Sequence, residues 1–208
     1  MNHAGTGLYR ILEWITRFAY MNLLWIFFTL VGGIVLGFYP STLAMFAIVR
    51  DWLRGKADFP IFPTFWNYYK REFIKANQLG IFISLLFLLV GLDLYYIYSN
   101  MDHILSWTSI PLFAFMVLFL LFLFFIFPSF VHYDVKISKL IKNTFLIMLI
   151  SPIYSFLMIL SLIVVYFIMN ALPALFFLFG GITYAFITMW LSLHAFDAIQ
   201  QKQDRHPS

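Results

Sequence analysis

The chain has 208 residues, of which 63% are hydrophobic and only 11% charged, with no cysteine and a formal net charge of +4. A soluble domain is about 45–50% apolar and about 25% charged, and a chain of this length has too much surface for its volume to hide such an excess from water. These figures exclude a water-soluble fold, and the absence of cysteine excludes disulfides, thiolate catalysis and Cys-ligated metals.

The first element in chain order is an amphipathic stretch, Leu8–Phe18. Leu8, Ile11, Leu12 and Ile15 face one way, Arg10, Glu13 and Arg17 face away, and Glu13 and Arg17 form an i,i+4 pair. The apolar run Phe18–Phe38 follows. It is longer than the roughly 7–15 residues of a signal-peptide core, and no A-x-A-like site follows it, so it reads as a retained span. Gly37-Phe38-Tyr39-Pro40 reads as a turn, after which Ser41 or Thr42 caps a short helix running to Leu53. Thr42 to Val49 covers only about 12 Å and cannot cross as a lipid-facing helix.

Next comes a basic amphipathic stretch, Ile61–Gln78, entered through Pro60 and Pro63. Phe62, Phe65, Trp66, Tyr69 and Phe73 recur at helical spacing, with Lys70, Arg71 and Lys75 elsewhere on the helix. A helix of this kind lies at a headgroup surface, and it is expected to run on into the span Leu79–Ser99. Three further runs, Ser109–Val131, Phe145–Asn170 and Ala174–Phe196, also reach the roughly 20 residues a hydrocarbon core requires. Pro128, Pro152 and Gly180-Gly181 are expected kinks. Trp14, Trp66, Trp107 and Trp190 suit interfacial belts.

The predicted fold is therefore all-α: one membrane-embedded domain over residues 1–208, a polytopic bundle of five clear spans plus the short segment Ser41–Leu53, with an interfacial amphipathic helix. Basic connections (about residues 50–78, then Lys136, Lys139 and Lys142, then the polar tail 198–208 with Lys202 and Arg205) alternate with connections lacking Lys and Arg, near 100–108 and 171–173. The basic ones are placed in the cytoplasm, and the C-terminus with them. If Ser41–Leu53 returns through the bundle, the N-terminus is cytoplasmic too, in keeping with Arg10 and Arg17. The five-span alternative leaves that segment at the interface.

No G-x-x-x-x-G-K-[ST], G-x-S-x-G or H-E-x-x-H is present, so no catalytic residue, cofactor or metal site is expected, and the chain is not read as an enzyme. A few residues stand out nonetheless. Asp93 lies within an apolar run, where a carboxylate costs roughly 2.5–3.5 kcal/mol and marks a functional site by default, unless it reaches water past Tyr95 and Tyr96. Arg50, with Asp51 and Arg54, either lines an inward cavity or anchors a helix to phosphates. His194 and Asp197 share a helix face at i,i+3 and, with His132 and Asp134, offer metal ligands or simply mark the inner interface. Gly33-x-x-x-Gly37 permits a close helix approach. Lys70, Arg71 and Lys75 are candidates for binding anionic headgroups. Because the basic residues flank apolar runs, the charge points to the lipid bilayer and not to nucleic acid.

The stretch from Gly37 to Gly80 resembles the signature region of the YesL-like family, small bacterial membrane proteins of unknown function. The residues that carry the resemblance are Gly37, Pro40, Thr42, Arg50, Trp52, Leu53, Gly55, Phe65, Trp66, Lys70, Phe73 and Lys75, together with the opening Arg10–Ile15. The resemblance implies a plasma-membrane location and a setting among carbohydrate-uptake genes, with other membrane proteins such as sugar transporter subunits as partners. It supplies no catalytic residues. Three functions follow as expectations: an accessory or transport-related component of carbohydrate uptake, a non-transporting scaffold or regulator binding other membrane proteins, and a membrane enzyme using the His/Asp pairs.

Overall fold

The computed structural model describes residues 3–99, 107 and 109–205, and every regular element among them is a helix. The expected link near 100–108 lacking Lys and Arg, apart from Trp107, and the facing of the Leu8 side chain lie outside the described residues. In chain order the helices are α1 (His3–Val31), α2 (Val35–Leu53), α3 (Ile61–Ser99), α4 (Ser109–His132), α5 (Ile137–Ile150), α6 (Pro152–Ala171) and α7 (Pro173–Arg205). Helices α1, α3, α4, α6 and α7 are long and apolar enough to cross a membrane. The chain is an all-α transmembrane bundle, as it must be where lipid offers the backbone no hydrogen-bond partners.

α2 is the centre of the bundle. It packs against α1, α3, α4 and α7, and every residue from Pro40 to Val49 is buried. The segment is thus neither interfacial nor short: its 19 residues extend about 28 Å. From Pro40 to Val49 protein surrounds it, while Val35, Leu36 and Phe38 stay exposed; that enclosure is why it tolerates Pro40, Ser41 and Thr42 and reads as weakly apolar.

The turn before α2 differs from the expected one. It falls at Gly32–Ile34, where Gly33 (φ 73°) and Ile34 (φ 64°) both have positive φ. The Val35 N–H bonds the Gly33 carbonyl at 2.8 Å, closing a γ-turn of the rare, strained hand about Ile34. Ser41 and Thr42 do not cap a helix; their hydroxyls bond back to the carbonyls of Gly37 and Phe38. Pro40 sits inside α2. Its missing N–H orphans the Leu36 carbonyl four residues back, and Asn77 of α3 fills the gap by donating Nδ2–H to it at 3.1 Å. Asn77→Ala is therefore expected to destabilise the protein by about 1 kcal/mol, and Pro40→Ala, which restores the backbone donor, to cancel most of that loss. Thermal melts of the two single variants and the double variant in detergent would measure the coupling.

The expected packing pair Gly33/Gly37 also shifts by one residue. A methyl group on Gly33 would meet nothing, whereas one on Gly32 would overlap the Gly37 backbone, and one on Gly37 would overlap the Thr29 carbonyl. The pair that lets α1 and α2 touch is Gly32 with Gly37.

α3 runs unbroken for 39 residues, so the amphipathic stretch and the following span are one helix, as expected. Its aromatic face does not lie free. The Phe65, Trp66 and Tyr69 rings gather round Phe28 of α1 with centroids 5.1–5.4 Å away.

The expected span Phe145–Asn170 divides at Ser151, whose backbone (φ −121°, ψ 49°) is not helical. Pro152 disfavours the α conformation in the residue before it. Residues up to Ile150 belong to α5, which begins at Ile137 and carries Lys139 and Lys142, while α6 is the span.

In α7 the Gly180-Gly181 step meets a residue the sequence did not flag. Asn22 of α1, 1% exposed, donates to the Phe177 carbonyl at 2.7 Å and accepts from the Ile182 N–H at 3.1 Å. Gly181 makes room for it: a methyl group there would lie 2.9 Å from Asn22 Oδ1.

Candidate functional site: a polar cavity at the basic end

The end of α2, the first half of α3 and the end of α4 enclose a cavity of about 450 Å3, within the size range of small-molecule sites. The charged side chains lining it are Arg50 from α2, Arg71, Glu72 and Lys75 from α3, and Asp134 from the link after α4, with His132 at the end of α4. Tyr68, Phe130 and Tyr133 add aromatic walls.

Arg50 organises the floor. Its guanidinium pairs with Asp51 at 3.0 Å and donates to the Val131 carbonyl, tying α2 to α4. The other Asp51 oxygen accepts the Tyr68 hydroxyl at 2.8 Å, tying in α3. Both charged side chains are less than one-fifth exposed, so each needs the other. Further up the wall, Arg71 pairs with Glu72 at 2.8 Å and Lys75 with Asp134 at 3.2 Å. The Lys75 ammonium also lies 5.3 Å from the Phe130 ring centroid. Burial first, and then the nearby Asp197 carboxylate, push the Tyr133 hydroxyl above its usual pKa, so it stays a neutral donor. The cavity thus presents paired donors and acceptors between aromatic faces, suited to a small polar solute. Deeper in the bundle the space is filled by the buried side chains of Phe46, Phe125 and Ile126, so no polar channel continues from it among the described residues.

Arg50→Leu is expected to cost about 1–3 kcal/mol, because it leaves the largely buried Asp51 without its cation and the part-buried Val131 carbonyl without that donor. Adding Asp51→Leu is expected to recover part of that loss, since the orphan charge then disappears. Melting temperatures of the two variants check both signs.

The other sequence candidates scatter. Asp93 is half-buried on α3, about 27 Å along the helix from Lys75, and does not line the cavity. His194 bonds the Trp190 carbonyl of its own helix at 2.8 Å. Asp197 is close enough to Tyr133 and His132 to act on them electrostatically, while Phe196 packs on the His132 ring at 4.6 Å. These residues do not converge: no group of three or more metal-ligating side chains occurs among the described residues. Of the three headgroup candidates, Arg71 and Lys75 line the cavity, whereas Lys70 sits over the Trp66 ring at 4.9 Å and does not. Tyr68 was not legible in advance, since nothing in sequence spacing brings it to Asp51.

A family model described as "Protein of unknown function, DUF624" matches residues 18–94, the segment that holds α2 and most of α3. Three Bacillus subtilis (strain 168) proteins are similar along most of their lengths. YteU is 38% identical over 84% of this chain and 79% of its own, YesV 34% over 91% of each, and YesL 32% over 99% and 97%. All three are described as uncharacterized proteins. No solved structure matches the chain significantly.

Proposed function

The chain belongs to the YesL-like family of membrane proteins of unknown function, and from that premise we propose that it is an accessory component of bacterial carbohydrate uptake, one that binds a small polar solute without conducting it. The cavity around Arg50 carries this reading. It is polar, walled by aromatic rings and open at the basic end, and it stops against a packed apolar interior. A conducting protein needs a path through the bundle, whereas a binding accessory needs only a pocket. The family resemblance supports the plasma membrane as the location, and the charge pattern supports an orientation with the basic end and both termini in the cytoplasm. Reporter fusions at Val135 and at the C-terminus test that orientation.

The second reading is a scaffold or regulator that binds other membrane proteins, sugar transporter subunits among them, and the same packed interior favours it. The two differ in what the pocket does. A deletion strain should lose uptake of at least one labelled glycan. The accessory reading expects wild-type protein to restore it and Arg71→Gln, whose side chain is largely exposed, to restore it poorly. Full restoration by Arg71→Gln, together with crosslinking to a defined membrane partner, would favour scaffolding. Unchanged uptake on every substrate would remove the carbohydrate role. The relatives carry no enzyme name, and catalysis forms no part of the proposal.

A further inference from the structure

A second hollow lies on the flank of the bundle. It is a groove of about 700 Å3 between the first half of α1 and the Phe179–Phe186 stretch of α7, floored by Trp52 and Leu53 at the end of α2. Its lining is apolar apart from Arg10, which stands near the end where Gly7 lies. We propose that this groove holds one acyl chain of an anionic phospholipid from the leaflet at the basic end, with the lipid phosphate bound by Arg10.

Length, charge and rigidity converge on this occupant. From Gly7 to Phe18 the groove follows α1 for about 16 Å, long enough to take most of one extended acyl chain along the amphipathic start of α1. The groove therefore has the reach of a single acyl chain entering from one surface. Arg10 is exposed and forms no hydrogen bond or ion pair among the described residues. Arg17, two turns further on, is engaged by Glu13 at 2.7 Å and by the Ala57 carbonyl at 2.9 Å. One uncompensated cation thus stands at the mouth of an apolar slot, which complements a chain carrying a phosphate at its end.

The floor is set before any lipid arrives. Trp14 meets Trp52 edge-on at 5.4 Å, Phe18 stacks on Trp52 at 6.0 Å, and Phe18 lies 5.3 Å from Phe186. Because these rings hold one another in place, seating a chain against them requires little reordering. Annular lipid that merely wets a helix face would find no such slot and would not discriminate between headgroups.

The test uses the full chain purified in mild detergent, incubated with equal amounts of phosphatidylglycerol and phosphatidylcholine, and examined by native mass spectrometry. Wild type is expected to retain one phosphatidylglycerol in preference to phosphatidylcholine. Arg10→Gln is expected to lower that preference about five-fold, the effect of one basic residue at an anionic surface. Ile15→Trp, which fills the groove from α1, is expected to reduce retention of both lipids. Melting curves show whether each variant is folded, and Arg10→Gln, at an exposed position, decides the matter if Ile15→Trp is not. Equal retention of the two lipids by wild type, or an unchanged preference in folded Arg10→Gln, overturns the proposal.

Discussion

Gly37→Leu is expected to abolish the folded protein. At this position α2 rests directly on the α1 backbone: even a methyl group would overlap the Thr29 carbonyl oxygen and come within 2.8 Å of the Phe28 carbonyl. Those obstacles are backbone atoms, so no rotamer change relieves them, and α1 must move away from α2. The cost exceeds the roughly 1–3 kcal/mol typical of overpacking against flexible side chains. The consequences spread because α2 is the helix on which α1, α3, α4 and α7 all pack, and because the same hairpin positions Phe28 among the α3 aromatics. Expression yield and the fraction eluting as a monodisperse species in detergent should both collapse. Gly33→Ala serves as the control. Its site is open to space, so only the positive φ of 73° opposes the substitution, at about 1–2 kcal/mol, and the variant should remain folded but melt earlier.

Asn22→Leu is the second large expected effect. The substitution keeps the number of side-chain heavy atoms, yet it removes both hydrogen bonds that tie α1 to the α7 backbone. Interhelical hydrogen bonds in membranes are worth about 0.6 kcal/mol on average and up to about 1.7, so the expected loss for the two bonds together is about 1–3 kcal/mol. It should show as a lower melting temperature in detergent. Asn22→Asp, which keeps the acceptor for Ile182 but loses the donor for Phe177, should also destabilise, and the comparison separates this hydrogen-bond role from simple packing.

The helical membrane character was legible because it rests on local composition. Lipid demands long apolar runs, and these stand out whatever surrounds them. Where a helix faces protein instead, that signal weakens. α2 read as a short fragment because Pro40 resembles a breaker, and the residue that makes Pro40 tolerable, Asn77, lies 37 positions away on another helix. The break at Ser151–Pro152 read as a kink because the apolar run continues across it, while the backbone at Ser151 does not. Gly33 and Gly37 matched a spacing rule, but the turn had already begun at Gly32, so the contact belongs to Gly32 and Gly37.

The cavity was legible in part. Arg50, Arg71 and Lys75 were singled out for their charge at the ends of apolar runs, and folding brings them together. Asp51 and Tyr68 gain meaning only through the α2–α3 contact. His194 and Asp197 share a face by spacing, yet one turns to its own helix backbone and the other toward Tyr133, because side-chain direction follows local partners and not helical register alone. Asn22 was not singled out from its apolar run. Its role depends on where α7 crosses α1, which one segment of sequence does not encode.

In this fold water reaches the cavity beside α2 from the basic end only. Since the chain has no cysteine, a single Ala47→Cys in the cavity lining provides a clean probe. Vesicles of known orientation, treated with a small membrane-impermeant thiol reagent, would report from each side. The structure predicts modification when the Lys136–Lys142 side faces the reagent and none when the opposite side does. Labelling from the opposite side, or from neither side in folded protein, would contradict it.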